Sequence, residues 1–210
     1  MVIIEKIRAK LEELRLLEIK LEIPGAAVNA YVFGPKLTEK AALAFERKHK
    51  IELPADYRGY LTELGNGGVG PFNGIFALGA MDGNGGEEQP WPKGFVGKLS
   101  DPFPHRKTWN PVATRDDDDF DGDDGDDDPQ WDPANMAGAF PICDHGCALR
   151  SWLVVSGRER GRVWYDGRAD GDGVWPQVDA DGKHLTFGNW YLTWIDESLS
   201  ALRKAQRRKR

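Results

Sequence analysis

Cysteine and histidine are scarce in this chain, with two and four in 210 residues. Cys143 and Cys147 bracket Asp144, His145 and Gly146, but a C-x-x-x-C with one interposed histidine lacks the second ligand pair that zinc requires. Both are read as free thiols in or near a strand. A chain of this length buries most of its unfolded apolar surface without staples, so neither a metal nor a disulfide framework is needed for stability. Long apolar runs are missing too. No stretch reaches the length that spans a bilayer, and the start MVIIEKIRAK is charged almost at once, so neither a membrane helix nor a secretory signal is expected and the default compartment is the cytoplasm. The common catalytic signatures are absent as well: there is no G-x-S-x-G elbow, no P-loop, no dinucleotide G-x-G-x-x-G joined to a βαβ unit and no H-E-x-x-H pair. Many carboxylates are present, but nothing in the sequence shows which converge on a pocket. The reading is of a chain that is not an enzyme and needs no cofactor.

Negative charge, by contrast, is concentrated. The formal net charge is −6, yet Asp116–Asp128 alone holds ten aspartates, so the rest of the chain is net positive. Six cations fall between Arg203 and Arg210, where they favour the macrodipole of a helix C-terminus. Nucleic-acid binding by that tail is disfavoured, since no aromatic platform is interleaved with it. In the acidic tract, Asp117, Asp119, Asp121, Asp123 and Asp128 match positions one, three, five, seven and twelve of a calcium loop, with Gly122 at six. A run of ten aspartates matches almost any such template, however. Position twelve lacks the longer Glu, position eight is Asp124, and no amphipathic helices flank the run, so no dedicated metal site is expected. Mutual repulsion, with only Phe120 as an apolar residue, makes a solvated, disordered insertion the expected state.

Regular elements are legible on either side. Ile4, Ile7, Leu11 and Leu14 recur at 3-4-3 spacing, the mark of an amphipathic helix that lies against the domain or against a second copy of the chain. Ile19, Leu21 and Ile23 alternate with charged residues and fit either a short strand or the end of that helix. Thr38 is a candidate N-cap for a helix running to about Lys50, with Ala41, Ala44 and Phe45 on one face. Pro54 opens another helix, whose Tyr57, Tyr60, Leu61 and Leu64 form one apolar stripe. Gly65, Asn66, Gly67 and Gly68 end it, because Gly and Asn tolerate left-handed backbone, and Gly74–Leu78 reads as a short strand. Trp152–Val155 and Arg162–Tyr165 form a hairpin that is apolar on both faces, which places it near the centre of a sheet. Asn189 is a candidate cap for a last helix carrying Tyr191, Trp194, Ile195 and Leu202. His145 and His184 are lone histidines and read as structural or solvated.

The order of these pieces resembles a known family. Leu53-Pro54, the Y-x-x-Y-L of Tyr57–Leu61, Asn66-Gly67-Gly68 and the following strand are joined downstream by Gly97-Lys98-Leu99, Pro102-Phe103-Pro104 and Trp109-Asn110-Pro111. Gly146, Leu153-Val154-Val155, Arg160–Asp166, Trp190, Tyr191 and Trp194-Ile195 complete the set. Together, over about Lys36 to Leu202, they are similar to the SUKH superfamily, the Smi/Knr family of bacterial immunity proteins and fungal cell-wall regulators. That resemblance implies an α+β fold with a mostly antiparallel central sheet and helices packed against it, and a protein-binding role with no catalytic residues to carry over. The expected organisation is an N-terminal helical extension over 1–35, the domain over 36–202 with an acidic insertion at 115–132, and a basic tail over 203–210.

The resemblance and the charge split together imply an immunity protein that neutralises a cognate toxin, such as a nuclease, by covering its active or substrate-binding surface. The alternative is a non-enzymatic cytosolic regulatory adaptor. Candidate partner-binding residues are Asp116, Asp117, Asp118, Asp119, Asp121, Asp123 and Asp124, with Trp91 and Trp131 as aromatic anchors. Trp91 lies between two prolines after the Gly-rich loop at 81–86 and is expected to be the more exposed; Trp109 and Trp175 are expected to pin loops to the core.

Overall fold

The computed structural model describes residues 2–21, 31–83, 87–111 and 129–208, and they form an α+β fold. In chain order the helices α1 (Val2–Leu21), α2 (Glu39–His49) and α3 (Ala55–Gly59) lead into a two-stranded antiparallel ribbon, β1 (Ala80–Asp82) and β2 (Glu88–Pro90). An antiparallel sheet follows, its strands β3 (Ala139–Gly146), β4 (Leu149–Val154), β5 (Val163–Asp166) and β6 (Val174–Pro176) lying in sequence order, and α4 (Phe187–Arg208) closes the chain.

The sheet register explains why its strands are apolar on both faces. Phe140 pairs with Leu153 and Leu153 with Val163, while Ala139 pairs with Val154 and Trp152 with Trp164. Side chains alternate along a strand, so the first set faces the helices and the second faces away. On the helical side Phe140, Leu153, Val155 and Val163 join residues of α1, α3 and α4 in one core. On the other side Trp152, Val154, Trp164 and Val174 pack with Phe103 and Met136, with Phe95 and Trp109 covering them. Irregular segments take the place of helices on this second face, and β4 and β5 are central as the pattern predicts.

Each helix buries the stripe that its environment requires. Ile4, Ile7, Leu11 and Leu14 of α1 are buried and the helix packs on α4, with the ion pairs Lys10–Asp196 and Glu13–Arg203 across the seam. Its apolar face is therefore covered within the chain, and Ile19 and Leu21 continue the helix instead of forming a strand. In α2 the cap is Thr38, whose Oγ1 accepts the Ala41 amide, but the inward face is Ala42, Phe45 and Glu46, and Ala41 and Ala44 are exposed. The residue that displaces the expected register is Glu46. Its carboxylate accepts from Arg58 Nη1 at 3.0 Å and from the Leu53 amide at 2.9 Å, which makes a charged residue acceptable at a core position.

The Tyr57, Tyr60, Leu61 and Leu64 stripe is buried throughout, although α3 widens into a π-helical turn over Tyr60–Leu64. Tyr57 and Tyr60 meet Phe187 at ring distances of 4.9 and 5.2 Å, locking α3 to the start of α4. That start is not capped by Asn189. The Thr186 hydroxyl accepts the Asn189 amide at 3.4 Å, and the Asp56 carboxylate reaches across from α3 to accept the Gly188 amide at 2.9 Å.

Beyond β3 the sheet continues as single bridges, Cys143 to Ile75, Ile75 to Gly68 and Gly68 to Phe33. Gly74–Leu78 is not a regular strand, because the Ala77 and Leu78 amides bond to the Glu88 and Asn66 side chains instead of a neighbouring ladder. Gly65 is extended rather than left-handed, with φ 171°. The demand for glycine is strongest at Gly68: its φ is +104°, and a Cβ there would stand 2.3 Å from the Val32 carbonyl oxygen. Gly68→Ala is accordingly expected to cost more than about 2 kcal/mol in urea denaturation. Gly182→Ala, at a positive φ facing open space, should cost only about 1 kcal/mol. Equal losses at the two positions would mean that the close approach at Gly68 is not a constraint.

Candidate interaction surface

The second face of the sheet ends in the turn between β5 and β6, Gly167–Gly173, and this turn is rich in Asp and Gly. Asp166 is the last residue of β5 and Arg168 opens the turn. Their side chains are 3% and 5% exposed and bond twice, Nε to Oδ1 at 2.8 Å and Nη2 to Oδ2 at 2.7 Å. A guanidinium and a carboxylate satisfy each other in this parallel arrangement better than any other side-chain pair. The remaining guanidinium nitrogen, Nη1, donates to the Gln130 carbonyl at 2.7 Å, and the cation lies 4.7 Å from the centre of the Trp131 ring.

Arg168 therefore holds the segment that follows the acidic tract. The segment that precedes the tract is held by the same turn. Trp109 exchanges backbone hydrogen bonds with Val174 at 2.9 and 2.8 Å, and Asn110 Nδ2 donates to the Gly171 carbonyl at 2.8 Å. Gly173 admits this approach because a Cβ there would lie 2.2 Å from the Trp109 carbonyl oxygen. His105 ties the two flanks together: its ring stacks on Trp109 at 4.8 Å, and its Nε2 bonds to the Asn135 carbonyl at 2.8 Å. A carbonyl only accepts, so Nε2 carries the proton. Asn135 in turn donates to the Pro129 carbonyl at 2.8 Å. Residues 109–111 and 129–136, which flank 112–128 in the chain, thus form a fixed neck.

The turn itself is acidic, while Arg106 and Lys107 are exposed just before Trp109. Asp170 and Asp172 stand exposed on the turn, whereas the charge of Arg168 is consumed by Asp166. Burial raises the Tyr165 phenol above its usual range, and Asp170, Asp166 and Asp172 add to the effect. Tyr165 stacks on Trp175 at 4.5 Å and meets His145 edge-on at 4.8 Å, and His145 lies 4.0 Å from Phe72, which is 58% exposed. An aromatic row consequently leads away from the acidic turn.

The expected site residues fall into three groups. Asp116, Asp117, Asp118, Asp119, Asp121, Asp123, Asp124 and Asp128, calcium positions included, lie outside the described residues. Trp131 sits at the neck and is 43% exposed. Trp91 is the correction: its ring packs 5.4 Å from Phe140 and 6.0 Å from Phe45, and its Nε1 donates to the Ala80 carbonyl at 2.9 Å. It is half-buried and fastens the end of the ribbon to the helical-side core, because flanking prolines fix the backbone but say nothing of the side chain's direction. The structure does not bring Trp91 and Trp131 together. Arg168 and Asp166 were not singled out from the sequence; the Asp-Gly-Arg-Ala-Asp-Gly-Asp-Gly run of 166–173 was the available signal.

Cys143 is buried, its Sγ donating to the Pro71 carbonyl at 3.3 Å, and burial pushes its thiol well above the usual range. Cys147 is exposed in the β3–β4 turn. Among the described residues, no three His, Cys, Asp or Glu side chains gather as a metal site, and no helix is long and apolar enough to cross a membrane. Comparison with protein-family models, with curated proteins and with solved structures finds no match.

Two stability measurements test this arrangement. Asp166→Ala strands a buried guanidinium and should cost about 3–5 kcal/mol, whereas Asp101→Ala, which removes only the exposed pair with Lys98, should cost under about 1 kcal/mol. Burial lowers the His145 imidazole to about 4, below its unfolded value near 6.5. The unfolded chain then takes up the extra proton first, so this contribution is complete above pH 6.5 and is lost as pH falls toward 4. His145→Gln should flatten the slope of stability against pH in that window by roughly 3 kcal/mol overall; an unchanged slope would place the titration elsewhere.

Proposed function

We propose that this chain is a cytoplasmic, non-enzymatic binding protein of the immunity type, which neutralises a cognate toxin by covering its active or substrate-binding surface. The observation that carries the reading is the neck: both ends of a segment with ten aspartates are fastened to one turn that itself exposes Asp170 and Asp172 and whose Arg168 lies over Trp131. The ordered motifs resembling the SUKH superfamily support the same class of role. A nuclease surface that grips phosphates is basic, so a carboxylate-rich inhibitor competes for it electrostatically, and an aromatic side chain slows release once contact is made. Association of this kind weakens with salt.

Affinity capture of the full chain from its source cells at low salt, with bound proteins identified by mass spectrometry, tests the proposal. The expected result is one stoichiometric, basic, toxin-like partner whose retention falls about tenfold or more when residues 116–128 are deleted. The deletion variant should keep its cooperative melting transition, since the flanks are held by contacts that the deletion leaves in place. Recovery of several ordinary cytosolic proteins, indifferent to the deletion, would overturn the immunity reading in favour of a regulatory adaptor.

A further inference from the structure

A second charged surface lies at the C-terminal end of α2. The last turn of α2 and its cap present Lys48, His49 and Lys50, and the chain after β2 brings Trp91, Pro92 and Lys98 opposite them, enclosing an open cleft of about 380 Å³. No carboxylate is among its lining residues. Lys98 pairs with Asp101 at 2.7 Å, but among the described residues Lys48 and Lys50 have no carboxylate partner and the His49 ring nitrogens accept and donate no hydrogen bond. Cations that line one cleft with no carboxylate among them favour an anion there.

The walls are built, not incidental. Lys50 takes a left-handed backbone, φ 55°, at the C-cap of α2, a position where Gly or Asn is usual and a longer side chain is strained. The His49 ring is wedged 4.4 Å from Phe45 and 6.3 Å from Trp91; burial, then the charge of Lys48, lowers its basicity, leaving one nitrogen to donate and one to accept at neutral pH. Trp91 is fixed from behind by Phe140 and by its bond to Ala80, so its orientation is set before any ligand arrives. A cleft of this volume suits a small organic molecule. Lysine recognises a phosphate as a point charge, and a planar ring stacks favourably on an aromatic side chain.

We propose that this cleft binds a small organic phosphate carrying a planar ring, a nucleotide-type ligand, with its phosphate between Lys48 and Lys50, a hydrogen bond from His49, and its ring against Trp91 and Pro92. The site stands independently of the toxin reading, because it shares no residue with the neck.

With only four histidines in the chain, imidazole NMR reports on the site directly. The full chain is titrated with AMP, inorganic phosphate and adenosine in turn. AMP is expected to shift the His49 resonances saturably in the sub-millimolar range and to leave His105, His145 and His184 in place. Phosphate and adenosine should each bind at least about tenfold more weakly. The double variant Lys48→Gln, Lys50→Gln changes two exposed side chains, so it should melt as the parent does while losing at least about tenfold in AMP affinity. Absence of saturation by AMP through the millimolar range, equal binding of phosphate and AMP, or undiminished binding by the double variant would overturn the proposal.

Discussion

The constraint on which most of this structure depends is the passage of one backbone between two others at Gly67–Val69. Val32–Gly34 lies on one side and Ile75–Ala77 on the other, bonded through Gly34 N to Gly67 O at 3.0 Å and Gly68 N to Ile75 O at 2.8 Å. Only residues without a Cβ allow both neighbours so close. The carbonyl of Val69 then accepts the Tyr191 hydroxyl at 2.6 Å and, more distantly, that of Tyr60 at 3.4 Å. Both phenols are buried and their ionisation is pushed far above the ordinary range by desolvation, so they remain protonated donors. One carbonyl thus joins α3, α4 and the irregular edge of the sheet, and satisfies groups whose burial would otherwise cost about 1–3 kcal/mol each.

Two Arg–Asp pairs extend this order from the helical side to the connections. Arg150, in β4, bonds to both oxygens of Asp82 in β1 at 2.7 and 2.6 Å. Burial pushes the Asp82 carboxyl up, but the hydrogen bonds and charge of Arg150 outweigh it, so it sits below its ordinary value and stays ionised. Arg168 and Asp166 do the same at the neck. Replacing such a pair by apolar residues of the same shape is often neutral or stabilising, whereas removing one partner is costly. Their effect here is therefore positional: each guanidinium has several directed donors, and after two are used on the carboxylate a third reaches a loop carbonyl, Ala148 in one case and Gln130 in the other. Leucine in either place would fill the volume and leave the loop unattached.

What the sequence made legible follows from how local the determining interaction is. The Tyr57 stripe, the Ile4–Leu14 stripe and the double-faced hairpin are all periodic patterns, and each lies where its period puts it. The face of α2 was misread because alanine at 41 and 44 is too small to discriminate, while the buried Glu46 depends on Arg58 twelve positions away. The cap of α4 was misread because Thr186 shares the work with Asp56, from another helix. Gly74–Leu78 had strand composition, but its amides were claimed by Asn66 and Glu88 side chains. At the candidate site the aspartates were visible as composition. The neck was not, since its bonds join residues 38 and 61 positions apart and no spacing rule relates Asn110 to Gly171 or Arg168 to Gln130.

The cleft and the neck draw on different cores: Trp91, which forms a wall of the cationic cleft, belongs to the helical-side core, and Trp109 of the neck belongs to the opposite one, with Val96 touching both. The two adjoin where Gly97 of the cleft wall lies against the Pro133 backbone of the neck, and exposed charges farther apart than about 8 Å are largely screened at physiological ionic strength. What the two places share is fixation of their loops, by the buried guanidinium of Arg168 at the neck and by the aromatic wedge around His49 at the cleft.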